Sequence, residues 1–371
     1  MLRPLAIFVL CLVSTLSEAQ QRLTLQDAIG KALQYNFDIR IASNAVQQAD
    51  VNNTMGNAGM LPSVDANGFY RRGTSNVFNQ LASGQEQVRP NAVTSGLSGS
   101  IDAAWVVFDG TRMFQVKKQL EGREALANTQ LKAQIQSTVS QVIQAYAAVV
   151  WRRQQIIAID TGISLAATRM FLSQAQYESG TSAKVDYLQA RVDHNIRRTD
   201  SLEQEAFIFQ SMTNLSMLLG EESEQFYDVD DSLQLNLALQ PLDKERLKEV
   251  NLSLEVARRN VEISRQTAKI AKTYHLPTVT LDGSYVFTRN TSAAGFALFS
   301  RSYGPSGGIS LNMPLFRGGT VRQQAKVASL QAVSAELAYD KQNTEVSRQY
   351  RAGWRNYQMA VAAYMLQKEN I

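Results

Sequence analysis

The chain contains two copies of one pattern, and a duplicated unit constrains its fold to something both copies can build. A shift of 215 positions lays Asn36 to Tyr70 on Asn251 to Tyr285 without a gap. It matches Leu61-Pro62 with Leu276-Pro277, Val64 with Val279, Gly68 with Gly283 and Tyr70 with Tyr285. A shift of 208 lays Gly99 to Ala147 on Gly307 to Arg355, matching Ile101 with Ile309, Phe108 with Phe316 and Gly110 with Gly318. The difference between the two shifts falls between the blocks, where a loop absorbs it.

Each copy reads helix, strand, loop, strand, helix. Leu25 to Asn57 is rich in Ala, Gln and Asn with apolar residues at helical spacing, so one helix is expected, closed by Pro62. Leu254 to Tyr274 is its counterpart, closed by Pro277. The period then changes from 3.6 to 2. Val279, Leu281, Gly283, Tyr285 and Phe287 alternate with polar neighbours, as do Ile309, Leu311 and Met313, and in the first copy Ile101, Ala103, Trp105 and Val107. Strands are expected at about 63–73, 97–108, 278–289 and 307–316. The polar positions of the alternation, Asp65, Asn67, Asp102, Thr280, Asp282, Ser284, Ser310 and Asn312, would share one face. Alternation alone fits a half-buried sheet in a soluble domain equally well. Aromatic residues at 69, 70, 105, 285 and 287, with the export signal described below, favour an outer-membrane barrel.

Thr111 to Tyr177 lacks proline and is expected to form a helix of roughly 100 Å at ~1.5 Å per residue. Ala183 to Leu219 is a second proline-free helix, and Gly180 between them marks a tight reversal, giving a helical hairpin over 111–219. Glycine supplies the turn, and Thr181 or Ser182 is expected to cap the following helix. The apolar stripe is thin, with Ala, Ser, Gln and Thr abundant, as in helices that pack side by side. Residues 221–242 are acidic and irregular and read as a linker. Their cluster of Glu221, Glu222, Glu224, Asp228, Asp230 and Asp231 could attract cations, although a solvated linker is the simpler reading.

The N-terminus has Arg3, an apolar run from Leu5 to Val13, and Ser17-Glu18-Ala19, the pattern of a secretory leader over 1–19. Cys11 is the only cysteine, and Leu10 stands where a lipoprotein signal wants a small residue, so neither a lipid anchor nor a disulfide is expected. No later stretch reads as a transmembrane helix, so a membrane would have to be entered with strands. Four strands cannot close a barrel, since single-chain barrels begin at about eight. Open edges in lipid cost several kcal/mol per unpaired backbone group. A membrane-inserted sheet therefore has to be completed by neighbouring subunits.

Formal net charge is only +4, and acids and bases are interspersed, which leaves no basic stripe for nucleic acid. His194 and His275 are isolated, and no phosphate loop, nucleophile elbow or zinc spacing occurs. No cofactor, metal or catalysis is expected.

With these features in order, the chain resembles the TolC-like outer membrane efflux protein family. The resemblance covers everything after the leader. It rests on the Leu23-Thr24-Leu25-x-x-Ala28-Ile29 opening with Asn36, the two Leu-Pro strand entries and the two Phe-x-Gly exits. It rests also on the run Tyr177-x-x-Gly180-Thr181-Ser182-x-x-x-Asp186-x-Leu188-x-Ala190 and on Leu218-Leu219-Gly220. It implies an α+β fold, internally duplicated, with four strands per chain in an outer-membrane β-barrel shared by a homotrimer, and long periplasmic helices forming an α-helical barrel. It implies a passive duct for small molecules or polypeptides, docked on an inner-membrane pump through a periplasmic adaptor that contacts the tip residues Gly180, Thr181, Ser182 and Asp186. The first repeat would span 20–220 and the second 243–371. The second repeat's equivalent of Gly180 would fall at 388, beyond Ile371, so a fragment and a natural truncation are both open, and no gate residues are assigned. A periplasmic coiled-coil adaptor or scaffold, or a non-functional fragment of a duct protein, are the rival readings. An adaptor should carry a further β domain between its hairpin halves, and none is recognisable.

Overall fold

The computed structural model describes residues 22–80, 83–221, 227–230, 237–294 and 297–369. The expected leader, Cys11, and Glu222, Glu224 and Asp231 of the acidic cluster lie outside the described residues. In chain order the elements are β1 (Arg22–Leu23), α1 (Leu25–Tyr35), α2 (Phe37–Asn52), β2 (Ser63–Gln80), β3 (Glu86–Phe108), α3 (Arg112–Glu178) and α4 (Lys184–Leu219). They continue with β4 (Asp228–Val229), α5 (Lys244–Val250), α6 (Leu252–Thr273), β5 (Thr278–Ser292), β6 (Phe299–Asn312) and α7 (Thr320–Glu369). The chain divides into two compact units. One comprises Met1–Ala45, Gln130–Leu242 and Tyr357–Ile371; the other comprises Val46–Thr129 and Asp243–Asn356.

In the first unit, Leu23, Ala28, Ala32, Val142, Tyr146, Val149, Met212, Leu215 and Leu219 form the core with Tyr227 and Val229. Residues 227–230 are thus not a solvated linker. Arg22 and Leu23 pair in parallel with Asp228 and Val229. The fully buried Tyr146 hydroxyl lies 3.0 Å from the Leu23 carbonyl oxygen and 2.9 Å from that of Asp230, donating its single proton between them. The described acids of the 221–242 stretch are matched by bases: Glu221 with Lys31 at 3.1 Å, Asp228 with Arg153 at 2.8 Å and Asp230 with Arg22 at 3.3 Å. Among the described residues no cluster of His, Cys, Asp or Glu is placed to hold a metal ion. Lys31 also donates to the Tyr227 hydroxyl at 2.7 Å, and that hydroxyl donates to Glu221. Burial alone would lower the Lys31 pKa, but the bonds to Tyr227 and Glu221 outweigh it and raise the value. Burial, assisted by Glu221, raises that of Tyr227.

The expected single helix from Leu25 to Asn57 is two helices broken at Asn36, and the second ends at Asn52, well before Pro62. Asn36 leaves helical geometry with ψ 129° and turns its side chain into a cap, accepting from the N–H groups of Asp38 (3.0 Å) and Ile39 (3.2 Å). Its duplicate Asn251, with ψ 110°, accepts from Leu254 at 3.0 Å and separates α5 from α6 in the same way. The duplicated asparagine is therefore a duplicated break. Gly220 ends α4 at φ 77°, its N–H donating to Met217 and that of Glu221 to Ser216, which satisfies two terminal carbonyls. A Cβ at Gly220 would stand 2.6 Å from the Tyr35 carbonyl carbon and 3.2 Å from the Asn36 nitrogen.

In the second unit, Ala268 and Ala271 of α6 meet Ala328 and Ala332 of α7, small side chains that let two helices approach closely. Gln266 donates to the Gln115 side chain at 2.6 Å, and Gln119 to Thr267 at 2.6 Å, stitching α6 to the start of α3. Leu247, Leu254 and Val346 form a smaller cluster. Both strand-to-helix exits pass through left-handed backbone: Gly110 and Thr111 at φ 71° and 70°, and Gly318 and Gly319 at 56° and 76°. These pairs are 208 positions apart, so the duplication extends to the dihedral angles.

The four long strands form one antiparallel sheet in the order β2-β3-β5-β6. They run further than expected. β2 extends to Gln80 and β3 begins at Glu86, because the pairing continues where both faces turn polar and alternation vanishes. β6 starts at Phe299 and stops at Asn312, short of the expected 316, and Leu315 and Phe316 lie beyond it with 88% and 86% exposure. One expectation about helices also fails: α3 contains a stretch long and apolar enough to cross a membrane, none of it buried. By its length and composition alone it cannot be told from a helix whose apolar stripe is meant for another helix.

Candidate functional site

The sheet register determines which side chains share a face, because residues directly opposite in an antiparallel ladder point the same way. Asp65, Asp102, Ser284 and Ser306 form one row, and Thr280 stands opposite Ser310. Asp282 shares the row of Ser63 and Ala104, Asn67 lies opposite Ser100, and Asn312 lies opposite Thr278. All eight positions expected to be polar therefore lie on one face. They are knit by hydrogen bonds: Asn67 and Ser100 donate to Asp102 at 2.9 and 2.6 Å, Ser310 donates to Asp282 at 3.0 Å, and Ser284 and Ser306 are 2.8 Å apart. Phe69 is the exception among the aromatics. It pairs with Ser98 on this polar face, whereas Tyr70, Trp105, Tyr285 and Phe287 occupy the other.

The opposite face is apolar and uncovered. Its rows read Val279-Leu311, Trp105-Leu281-Ile309, Ala66-Ile101-Tyr285-Pro305 and Phe287-Tyr303, and then Arg289 stands opposite Arg301. Ile309, Leu311 and Tyr303 are 75%, 70% and 63% exposed. From Leu311 to Tyr303 the apolar band measures about 27 Å along the strand at ~3.4 Å per residue. Barrel strands tilt by about 35–45°, so this is roughly 21 Å of height, close to the outward-facing bands of membrane barrels at about 25 Å. The two arginines, over Phe299 and Tyr303 respectively, end it. Among the described residues β2 and β6 each have a partner strand on one side only.

The hairpin tip is built differently from the expectation. Gly180 has φ 77°; its N–H donates to Tyr177 at 3.0 Å, and the Thr181 N–H donates to Gln176 at 2.9 Å. The Thr181 hydroxyl also goes to the Gln176 carbonyl, at 3.0 Å, closing α3 rather than opening α4. The N-cap of α4 is Ala183, with no side-chain cap, and Ser182 instead donates to Asp186 at 2.7 Å. Two residues outside the expected set complete the tip: the rings of Tyr177 and Tyr187 stack at 6.4 Å with 4° between planes. Their spacing on either side of the tip glycine was the available signal. The Lys31, Glu221 and Tyr227 group was likewise missed. It was legible only as Tyr227 and Val229 alternating within an acidic run.

A sheet with one wet face, one oily face, a band of membrane height and two open edges is the wall segment of an outer-membrane channel. Comparison with known proteins agrees. A family model described as outer membrane efflux protein matches residues 28–221 and 245–371. The proteases secretion protein PrtF of Dickeya chrysanthemi is 21% identical over 98% of this chain and 81% of its own length. The outer membrane protein TolC of Vibrio cholerae is 23% identical over 66% of this chain and 56% of its own. In fold, the chain superposes on the Campylobacter jejuni CmeC outer membrane channel with a TM-score of 0.71 at 15% identity, covering 93% of this chain and 75% of that one. The OprN outer-membrane channel gives 0.70 at 19% identity, with coverage of 93% and 75%. The chain belongs to the outer membrane efflux protein family. It is an outer-membrane channel component that extends into the periplasm.

Proposed function

We propose that three copies of this chain complete one barrel of twelve strands. In that barrel Asp65, Asn67, Asp102, Thr280, Asp282, Ser284, Ser310 and Asn312 face a water-filled lumen, and the apolar face meets lipid. The observation that carries this reading is the pairing of a two-faced sheet with two open edges. Unpaired strand edges in hydrocarbon cost several kcal/mol per backbone group, so four strands need neighbours. Transport is then passive: the polar face keeps the lumen wet, no group on it is arranged for catalysis, and the driving energy comes from a partner. The apolar stretch of α3 would pack against helices of neighbouring copies. Gly180, Thr181, Ser182 and Asp186, with the stacked Tyr177 and Tyr187, would present the tip to a periplasmic adaptor carrying an inner-membrane pump. The name of one relative, a proteases secretion protein, supports a polypeptide cargo, and the description of the family as efflux proteins supports a small-molecule one.

The test is a pair of arginine substitutions three positions apart on β5, one on each face of the sheet. Leu281→Arg faces the apolar band one row in from its end and should cost about 1–3 kcal/mol of membrane stability, between the interface and midplane values. Ser284→Arg, on the polar face, should leave insertion intact and alter single-channel conductance in planar bilayers. Equal tolerance of both, or a purified protein that sediments as a detergent-free monomer, overturns the reading.

A further inference from the structure

Charge is sorted along the sheet. The strand ends nearest the long helices, 63–66, 101–108, 278–283 and 309–312, carry Asp65, Asp102 and Asp282 and neither Lys nor Arg. Toward the two strand turns the bias reverses. Residues 67–100 hold Arg71, Arg72 and Arg89 with Glu86 as the single acid, and 284–308 hold Arg289 and Arg301 with none. The helices α3 and α7 follow Phe108 and Asn312 and extend into the periplasm, so the turns lie at the outer end. The register sorts these bases by face. Arg71 stands opposite Gly96 on the polar face. Tyr70, Leu97, Arg289 and Arg301 make one row of the apolar face, and Arg72, Ser95, Thr291 and Phe299 the next row out.

Arg289 directly opposes Arg301, and like charges so placed destabilise a sheet. Both are exposed, as is Arg72, and among the described residues none of the three has an ion pair. The Arg289 guanidinium lies 5.4 Å from the Phe299 ring centroid and that of Arg301 5.9 Å from the Tyr303 centroid. A ring takes the flat face of a guanidinium and leaves its N–H edge open to an acceptor. Arg72 stands two strands and one row from Arg289, about 12 Å away at ~4.8 Å per strand and ~3.4 Å per residue. Snorkelling from lipid into water would suit both margins of the apolar band equally. The opposite margin, formed by Phe108, Val279 and Leu311, carries no base.

We infer that Arg72, Arg289 and Arg301 hold the phosphate groups of a phosphorylated lipid headgroup in the outer leaflet. The facing pair clasps one phosphate, and Arg72 is set for a second. The inference rests on the reading of the apolar face as the one that meets lipid. Phosphate fits because its several acceptor oxygens can serve two guanidinium forks at once, and its charge cancels the repulsion between them. A lipid is the source because the arginines border the apolar band directly. Arg301 is the next residue on that face after Tyr303, so acyl chains can lie along Tyr285, Phe287 and Tyr303 while the phosphates rest on the row above.

Titration of lipid A into the full-length protein in nonionic detergent tests it. Arg289→Gln combined with Arg301→Gln should raise the Kd by roughly tenfold or more, the loss of two charge-assisted forks. Arg71→Gln removes the same charge at the same height on the polar face and should leave the Kd unchanged. Dephosphorylated lipid A should bind the unaltered protein as weakly as lipid A binds the double variant. An unchanged Kd in the double variant, or equal binding of the two lipids, overturns the site. Displacement of lipid A by excess inorganic phosphate overturns the lipid as the source of the anion. Conductance in planar bilayers reports separately on the channel. Protein that conducts but fails these criteria refutes the headgroup site and spares the channel, and protein that never forms channels refutes both. Weakened binding in Arg71→Gln alone would exchange the two faces and overturn both readings.

Discussion

Gly180 and Gly220 share a φ of 77° and differ in what surrounds them, so alanine at each separates backbone strain from close approach. Left-handed backbone costs an L-residue about 1–2 kcal/mol. Removing a glycine from the unfolded chain returns about 0.4–1 kcal/mol. Gly180 has open space around a new Cβ, so Gly180→Ala should cost about 1 kcal/mol. Gly220→Ala incurs the same strain and in addition drives its methyl to 2.6 Å from the Tyr35 carbonyl carbon, where carbon contacts are about 3.5–4.0 Å. The Tyr35-Asn36 backbone has to move by about 1 Å, and Asn36 is then lost as a cap for α2 and as the donor to the Leu218 carbonyl at 2.8 Å. Those losses add about 1 kcal/mol each. The variants should differ by about 2 kcal/mol, or roughly thirtyfold in the opening equilibrium. Hydrogen exchange in detergent, followed on the segments around residues 176–186 and on 36–41 with 216–221, reads each site locally. Equal effects at the two sites would show that the contact with Tyr35 carries no energy.

Thr111 is a β-branched residue at φ 70° where the second copy has Gly319, so Thr111→Gly should stabilise the β3–α3 junction by up to about 1 kcal/mol in exchange protection. Asn251→Ala should cost about 1 kcal/mol as the loss of a cap. Asn36→Ala should cost more, because its amide also holds Leu218; limited proteolysis near each break measures the difference. The folded-state pKa values of Lys31 and Tyr227 are both raised, so the stability they contribute is complete below about pH 10 and is lost as pH climbs through the raised values. Tyr227→Phe should flatten the alkaline limb of α1 exchange protection, and an unaltered limb would place the transition elsewhere.

Much of the sheet was legible because its central rows alternate strictly: the eight polar positions of one face follow from parity alone. The ends were not. Beyond Gly73 and before Leu97 both faces carry polar residues, and a strand there is held by backbone pairing that leaves no periodic signature. The helical break at Asn36 was hidden for a related reason, since asparagine is tolerated in a helix and becomes a cap only when its carbonyl oxygen finds free N–H groups. Pro62 misled by standing ten residues past the end of α2, where it bounds the strand instead. At the hairpin tip the glycine was readable, but which neighbouring hydroxyl served which helix end depended on side-chain torsions that composition does not encode.

The two outer strands have a consequence for inheritance. In the assembly proposed above, a subunit whose β6 margin is blocked by proline still offers a sound β2 margin, and so will be accepted on one side and refused on the other. Such a subunit would spoil every ring it entered, so a single defective gene copy beside a healthy one should behave as a dominant lesion.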